Sequence, residues 1–490
     1  MTFAARTLAL WLTPAAWLAL PALVLESGPD GLWVGLLLLV APLLALAAAG
    51  ERAPASSPRN ELFPVVAFLL VVALILWANL VLAGDVAAWL GWPRWRGIAV
   101  AAGGAWLLLA WRGAVRLVPA LLLIAGCGLA VPLAALGYEA DISPLAAWGR
   151  VASLPAFRLP ASSPWVDPGH ELRAGRGPTS LLFEEEHRVT AAGHAQLHIR
   201  AIDGARVTES DWDLRPGDAV TLRSGDELRW PAGARLRFEV GKLVPGAPPS
   251  GIAWADGRRG DSTRRWGLLL TLLGGAIALV DVGARPTRQQ MAGAAAALIL
   301  VFAWGVIWAV YCALGAPDLF LGGVAIERLA RPPSLGWPTG AGRFMPLLLP
   351  GAALASFLAS SVVLRERIGG LDVTGGGEIG HDLGLWSAII GATALASLWP
   401  AEPWMLIVMA LGLAASTLAP ATLWPLPTER ARWSTVAGLV GFGIFAALAV
   451  AGQWTRGVEG WTALPLTFPA VVAAPAAALV LGLARRARRG

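Results

Sequence analysis

The chain has 490 residues, of which 56% are hydrophobic and 14% charged, and its mean hydropathy is +0.63. This composition excludes an ordinary soluble protein and predicts an integral membrane protein. The net charge of +6 follows the membrane topology derived below, so it does not indicate nucleic acid as a partner. Heavy use of arginine, alanine, glycine and proline, with Lys242 as the only lysine, is typical of a GC-rich bacterial genome.

Apolar segments of about 17–25 residues are long enough to cross the ~30 Å hydrocarbon layer of a membrane. Five such segments precede residue 138, and seven follow residue 265. They lie at 7–25, 31–49, 62–83, 97–111, 117–137, 266–282, 291–315, 344–364, 384–399, 404–424, 434–452 and 463–484. The fourth, sixth and ninth are short or glycine-rich, so the sequence predicts a polytopic α-helical membrane protein of eleven or twelve spans.

Arginines recur on alternate loops between these segments, and the positive-inside rule assigns those loops to the cytoplasm. The arginines are Arg52, Arg59, Arg112, Arg116, Arg285, Arg288, Arg365, Arg367, Arg430, Arg432, Arg485, Arg486, Arg488 and Arg489. Both termini are then cytoplasmic, and the predicted location is the bacterial cytoplasmic (inner) membrane. The first segment is interpreted as a span. A cleaved signal peptide is the alternative, which leaves the remaining topology unchanged.

Residues 138–265 differ from the rest of the chain. They follow the fifth span, which places them outside the cytoplasm, and they hold 17 acidic and 17 basic residues. A near-neutral, polar insertion of this length predicts a soluble extracytoplasmic domain between an N-terminal membrane domain, 1–137, and a C-terminal one, 266–490.

The inserted domain is predicted to be all-β over residues 178–245, because apolar and polar residues alternate there. Short links rich in Pro, Gly and Asp separate the strands, which predicts an antiparallel meander folded into a small sandwich or barrel. The predicted inward-facing residues are Leu197, Ile199, Leu236, Phe238 and Val240. Before this core, Ser143 and Pro144 predict a capped, interfacial helix that stops before Pro155.

The 25 tryptophans cluster at span ends, which is typical of an aromatic belt at the headgroup layer. Carbohydrate stacking by the extracytoplasmic tryptophans is the alternative interpretation. The tryptophans at span ends are Trp89, Trp92, Trp95, Trp399, Trp404, Trp424, Trp433, Trp454 and Trp461. The two cysteines, Cys127 and Cys312, lie in apolar segments and are interpreted as small hydrophobic residues.

No metal site or cofactor is predicted. His194 and His198 share one face of a predicted strand, but at ~3.3 Å per residue they lie about 13 Å apart, too far for one zinc ion. The neighbouring Glu184, Glu185, Glu186 and His187 are interpreted as part of a solvated polar surface. A glycine-rich stretch, 375–382, carries Glu378, His381 and Asp382 and is interpreted as a cytoplasmic loop, with cation binding as the alternative.

The predicted spans contain no ionisable residue near their centres, which argues against an ion-coupled transporter. Charge collects instead at the predicted extracytoplasmic surface. Guanidinium groups bind phosphate through two parallel hydrogen bonds, so these arginines form a predicted substrate-binding set for a lipid phosphate. The set comprises Arg94, Arg96, Arg328, Arg331 and Arg343. Carboxylates at the same depth, as a general base would require, are Asp85, Glu139, Asp141, Asp318 and Glu402.

Three functions fit this architecture. The first is cell-envelope biogenesis, in which the protein handles a lipid-linked glycan at the extracytoplasmic face or assists a protein that does. The second is a non-catalytic scaffold whose β-domain docks an extracytoplasmic or membrane partner. The third is a flippase or exporter. The sequence shows no tight catalytic cluster, so enzymatic activity stays open, and membrane lipids are the partners common to all three.

Overall fold

The structure is a computed structural model. It describes residues 9–11, 13–50, 62–89, 92–111, 113–140, 143–159, 172–173, 179–203, 206–230, 235–245, 247–256, 262–279, 287–315, 345–369, 377–398, 403–423, 431–454 and 464–486. These residues are mostly helical, and a small antiparallel β region is inserted between two helical parts. The predicted fold class is confirmed at this level.

The helices before the β region are α1 (Pro14–Ser27), α2 (Pro29–Gly50), α3 (Leu62–Trp89), α4 (Arg94–Ala110), α5 (Val118–Ala140) and α6 (Pro144–Ala152). Those after it are α7 (Gly251–Asp256), α8 (Ser262–Leu279), α9 (Arg288–Gly315), α10 (Met345–Gly369), α11 (Gly377–Leu398), α12 (Pro403–Thr417), α13 (Ala419–Leu423), α14 (Ala431–Trp454), α15 (Leu464–Thr467) and α16 (Ala470–Arg486). Each of the twelve predicted apolar segments overlaps one of these helices or two of them in succession.

Four helical stretches in the described chain are long and apolar enough to cross a membrane by themselves: Phe63–Ala87, Ala114–Val131, Arg288–Tyr311 and Arg432–Gly452. Shorter apolar helices cover Pro14–Leu25, Asp30–Ala45, Arg265–Leu279, Leu385–Leu398 and Pro403–Thr417. The structure therefore supports membrane-spanning helices but not the count of twelve spans. Several predicted segments are not continuous helices. Prolines lie at the first position of some helices in these segments, as Pro14 does in α1.

Small residues let the helices approach one another closely, as is usual in membranes. A Cβ atom on Gly97 of α4 would lie 2.1 Å from the carbonyl oxygen of Ala83 in α3. A Cβ atom on Gly441 of α14 would lie 2.1 Å from the carbonyl oxygen of Ser416. Only glycine fits these crossings, because neither backbone can move without shifting its whole helix.

The β region consists of two antiparallel sheets of four strands each. The strands are β1 (Leu172–Arg173), β2 (Thr179–Leu182), β3 (His187–Ala191), β4 (Ala195–Asp203), β5 (Arg206–Leu214), β6 (Ala219–Leu222), β7 (Glu227–Trp230) and β8 (Arg235–Arg237). One sheet has the order β1-β8-β3-β6 and the other β2-β7-β4-β5. The pairs β1–β8, β2–β7, β3–β6 and β4–β5 make this an eight-stranded jelly-roll sandwich. The predicted meander is wrong, because only β4 and β5 pair as consecutive strands.

The sandwich buries most of the residues predicted to face inward. Leu197, Ile199, Leu236 and Phe238 are each at most 5% exposed, and the Phe238 ring lies 6.4 Å from that of Phe183. The prediction for Val240 is wrong, since that side chain is 47% exposed. Strand β8 ends at Arg237, and the chain turns at Gly241, where φ is +78°, so the alternation no longer reports a buried face.

Candidate functional site

The structure allows a test of two of the five arginines in the predicted substrate-binding set. Arg328, Arg331 and Arg343 lie outside the described residues, as do the carboxylates of Asp141, Asp318 and Glu402. Arg94 and Arg96 lie in the first turn of α4, which begins at Arg94. Glu139 falls within α5, where only the backbone is described. Whether the five arginines come together therefore stays a prediction.

Arg94 is paired with Asp85 of α3. The Arg94 Nη2 atom lies 3.2 Å from Asp85 Oδ1, and the carboxylate side chain is 7% exposed. The sequence assigned these two residues to separate roles, a phosphate-binding cation and a general base. The structure pairs them with each other, so the charge of Arg94 is offset inside the protein. Asp85 lies near the end of α3 and Arg94 at the start of α4, only nine residues apart in the sequence. This short separation is the signal that could have predicted the pair.

This ion pair gives a testable prediction. Arg94→Gln removes the cation that lies beside the buried Asp85 carboxylate, and breaking a buried ion pair typically costs about 3–5 kcal/mol. We expect a clear loss of thermal stability in detergent for Arg94→Gln. The double variant Asp85→Asn/Arg94→Gln should recover most of that loss, because the uncompensated charge is removed with its partner. A double variant as unstable as the sum of the single variants would show that the pair does not contribute through its charges.

Arg96 differs from Arg94 because it is exposed and forms no ion pair with any residue that the structure describes. Its guanidinium carbon lies 5.5 Å from the centre of the Trp95 ring. Trp95 is 62% exposed and Trp92 is 53% exposed. This surface fits the predicted aromatic belt, and Arg96 retains the free charge that binding a phosphate would require.

Helix α7, which follows the β region in the chain, packs against the turn between α1 and α2. Trp254 of α7 is 1% exposed, and its indole Nε1 donates a hydrogen bond of 2.9 Å to the carbonyl oxygen of Leu25. Gly28 has φ +55°, and a Cβ atom there would lie 2.1 Å from the Trp254 carbonyl oxygen. Arg265 of α8 forms an ion pair with Asp30. These contacts place the α1–α2 turn and the inserted domain at the same end of the helices.

The predicted capped helix forms α6 and belongs to the same junction. Ser143 Oγ accepts a hydrogen bond of 3.3 Å from the Ala146 amide, which confirms the predicted cap. The Trp148 ring of α6 lies 4.8 Å from that of Trp254. The sequence analysis did not predict the contact of Trp254. The available signal was Ser250, whose hydroxyl caps α7 by accepting from the Ala253 amide at 3.1 Å.

A second aromatic cluster lies in the helical core rather than at the interface. Trp17 of α1 and Trp304 of α9 meet edge to face at 5.3 Å, and Trp304 stacks on Trp308 at 6.0 Å. The Trp17 indole donates to Ser356 Oγ at 3.4 Å, while the indole nitrogens of Trp304 and Trp308 have no hydrogen-bond partner among the described residues. The spacing of four residues between Trp304 and Trp308 could have predicted this shared face.

The histidines predicted to lie on a solvated polar surface have two different environments. On the outer face of the β2-β7-β4-β5 sheet, His198 Nδ1 lies 2.7 Å from Asp211 Oδ1, and His194 Nε2 lies 3.1 Å from Asp213 Oδ1. Each imidazole thus has its own carboxylate partner on the neighbouring strand. Among the described residues, no three metal-ligating side chains of His, Cys, Asp or Glu come together.

His187 is buried, which contradicts its placement on that polar surface. It is 1% exposed, and its ring lies 5.2 Å from that of Phe183. Burial lowers the pKa of the His187 imidazole, and the nearby Glu185 carboxylate offsets part of this shift. The sequence pattern concealed the burial because His187 opens β3 directly after three glutamates.

The lowered pKa of His187 predicts that acid destabilises the sandwich. The unfolded chain binds a proton near pH 6.5, whereas the folded domain binds it only at lower pH. Stability is therefore complete above about pH 6.5 and falls as the pH decreases toward the folded pKa. Hydrogen exchange in residues 187–191, corrected for intrinsic rates, should show less protection at pH 5.5 than at pH 7.5. The pH effect should vanish in His187→Gln and persist in the control His198→Gln, and an unchanged effect in His187→Gln would contradict this assignment.

The glycine-rich stretch is partly helical. Glu378, His381 and Asp382 lie in the first turns of α11, which begins at Gly377. The prediction of a loop is therefore wrong for these three residues, and Gly375 and Gly376 lie outside the described residues.

Comparison with family models, with curated proteins and with solved structures finds no match for this chain. Its function is therefore inferred from the geometry of the molecule.

Proposed function

We propose that the protein is a multi-pass component of a bacterial cytoplasmic membrane that docks a partner in cell-envelope biogenesis through its β sandwich. In this proposal the chain crosses the membrane about twelve times, both termini are cytoplasmic, and residues 138–265 are extracytoplasmic. Its membrane domains are 1–137 and 266–490. The alternating arginine-bearing loops support this topology. The contact of Trp254 with Leu25 also supports it, because the topology places both residues on the extracytoplasmic side.

The observation that carries the docking proposal is the exposure of strand β5. It is the outer strand of its sheet and spans nine residues, and every side chain from 207 to 213 is exposed. Trp212 lies opposite the buried Leu197 in the β4–β5 register, yet it is 45% exposed. An exposed edge strand with unpaired backbone groups is a template for pairing with a strand from another chain.

The charge of this edge indicates the chemistry of the partner. Glu209, Asp211 and Asp213 line the outer face of β5, and Arg200 is the cation opposite them, 3.8 Å from Glu209. Three carboxylates against one arginine make this face acidic. We therefore expect the docked segment to carry basic residues, since complementary charge guides encounter and fixes register.

A photo-crosslinking experiment tests the docking surface directly. A photoreactive amino acid replaces Thr208 on β5 or, as the matched control, Thr221 on β6, the edge strand of the other sheet. Thr221 is also exposed, but β6 spans only four residues. We expect a discrete crosslinked adduct in cells from position 208 and none from position 221. Equal crosslinking at both positions, or none at 208, would contradict docking at β5.

A charge-reversal experiment tests whether the same edge is needed for function. The triple variant Glu209→Lys/Asp211→Lys/Asp213→Lys should fail to complement the envelope defect of a deletion strain while its protein level is unchanged. The control Glu184→Lys/Glu186→Lys/Glu239→Lys makes the same charge change at exposed positions elsewhere on the domain and should complement. Full complementation by the β5 variant would remove this edge from the proposal.

A second candidate function is direct handling of a lipid-linked glycan at the extracytoplasmic face. The guanidinium of Arg96 favours it, since it is exposed beside Trp95 and has no ion-pair partner among the residues that the structure describes. If Arg96, Arg328, Arg331 and Arg343 bind a lipid phosphate, alanine pairs among them abolish complementation at normal protein levels. Lysine should restore less than arginine, because the bidentate geometry is lost. Joint replacement of Glu378, His381 and Asp382 should have little effect.

A further inference from the structure

An apolar groove of about 620 Å³ runs along the side of the C-terminal helices, between α8, α12, α13 and α16. This volume lies within the range of ~300–1,000 Å³ that is typical of ligand sites. Small and apolar residues form its walls, including Gly274, Ala415, Ala474 and Gly482, and Arg486 is the one charged residue among the described residues that line it. The groove thus combines a long apolar wall with a cation at one end.

The groove is long enough to hold an extended acyl chain. Its lining on α16 runs from Ala470 to Arg486, a distance of about 24 Å at 1.5 Å per residue. Apart from Arg486, the described residues that line the groove are alanine, glycine, leucine, proline and valine, which favours a hydrocarbon chain over a polar molecule.

Three arginines lie at the same end of these helices. Helices α14 and α16 run antiparallel, with Gly441 beside Ala477, so Arg432 at the start of α14 lies level with Arg485 and Arg486 at the end of α16. All three arginines are exposed, and none forms an ion pair with a residue that the structure describes. Glu429, the nearest acidic residue in sequence, lies outside the described part of the chain.

We propose that this groove binds an anionic phospholipid, with an acyl chain along α16 and the phosphate at Arg486. Guanidinium forms strong, bidentate, charge-assisted hydrogen bonds with phosphate oxygens. The proposed topology places Arg486 at the cytoplasmic surface, where anionic lipids attract basic clusters. The site is distinct from the β5 docking edge, and its occupant is defined by two matched features, an apolar tail and an anionic head.

Native mass spectrometry of the detergent-purified full chain tests this site. The probes are phosphatidylglycerol and phosphatidylcholine with identical acyl chains, added after delipidation. Gly482→Leu fills the groove, and a Cβ atom at Gly482 meets no atom within 4 Å, so the variant is expected to fold. Gly443→Leu on α14 is the matched control, since a Cβ atom there also meets nothing within 4 Å and the residue does not line the groove.

The headgroup contact has its own pair of variants. Arg486→Gln removes the cation, and Arg116→Gln removes another exposed arginine away from the groove. We expect the wild type, Gly443→Leu and Arg116→Gln to bind phosphatidylglycerol about tenfold more tightly than phosphatidylcholine. Arg486→Gln should lose this preference, and Gly482→Leu should lose one bound lipid of either kind.

Two results would overturn the proposal. If Gly482→Leu retains as many lipids as Gly443→Leu, the groove is not the binding site. If Arg486→Gln keeps the preference for phosphatidylglycerol, or the wild type shows no preference, the occupant is not selected by its phosphate charge. A hydrophobic peptide or a zwitterionic lipid would produce the second result.

Discussion

Gly28→Ala is expected to destabilise the protein by about 3–5 kcal/mol and to loosen the packing of α7 against the turn between α1 and α2. A residue with a Cβ atom costs about 1–2 kcal/mol in a left-handed conformation such as φ +55°. The Cβ atom would also lie 2.1 Å from the Trp254 carbonyl oxygen, so α7 must move. Overpacking of this kind costs about 1–3 kcal/mol, and the hydrogen bond from Trp254 to Leu25 adds to the loss.

The matched control for this variant is Gly217→Ala. Gly217 has φ +93°, but a Cβ atom there meets nothing within 4 Å, so only the backbone cost of about 1–2 kcal/mol applies. Thermal unfolding of the purified chain measures the difference. Hydrogen exchange in residues 251–256 should increase in Gly28→Ala and stay unchanged in Gly217→Ala. Similar behaviour of the two variants would mean that the contact with Trp254 does not hold the domain.

Phe238→Ala is expected to cost the sandwich about 3–5 kcal/mol, a large share of the stability of a small domain. Phe238 is 4% exposed and stacks on Phe183 between the sheets, so truncation leaves a cavity that the short strands cannot close. Hydrogen exchange across β3 and β8 should then report loss of protection while the membrane helices stay protected.

Val240→Ala is the control for Phe238→Ala. Val240 lies two residues after Phe238 and was also predicted to face inward, but its side chain is 47% exposed. We expect a change within about 0.5 kcal/mol. An equal loss of stability in the two variants would show that the sandwich buries a different face from the one described. A neutral Phe238→Ala would mean that the ring does not contribute to the core.

The positions of the helices could be predicted from sequence because each needs only a local run of apolar residues. The breaks between helices within one apolar segment were harder to predict, although prolines in the sequence mark them. The predicted segment 404–424 divides into α12 and α13, with Pro420 in the second helix, and segment 463–484 divides into α15 and α16 around Pro469. Hydropathy averages over these prolines, whereas the backbone lacks an amide at each of them.

The strands could be predicted in the same way, but their order could not. Alternation of Leu197 and Ile199 with polar residues reports which face is buried within one strand. The pairing of β1 with β8, or of β2 with β7, joins residues more than 40 positions apart, and no local pattern encodes it. The short links suggested a meander because turn chemistry is local and sheet order is not.

The predicted binding site was the least predictable part of the molecule. The loop charges indicated that Arg94 and Asp85 lie at the same membrane surface. They did not indicate that the two side chains form an ion pair, with 3.2 Å between Arg94 Nη2 and Asp85 Oδ1. The contact between Trp254 and Leu25 joins parts of the chain 229 residues apart, and the apolar groove joins four helices. Such sites arise from packing, and composition alone gives no information about packing partners.

The central claim is that the β sandwich lies outside the cytoplasm while the arginine-bearing loops lie inside. Cysteine labelling with a membrane-impermeant reagent tests it most directly, in a chain whose Cys127 and Cys312 are replaced by alanine. Ser224→Cys probes an exposed turn of the sandwich, and Gln289→Cys probes the exposed start of α9. We expect Ser224→Cys to be labelled in intact spheroplasts and Gln289→Cys only after lysis. Labelling of Gln289→Cys in intact spheroplasts, with Ser224→Cys protected, would contradict the topology and the docking function built on it.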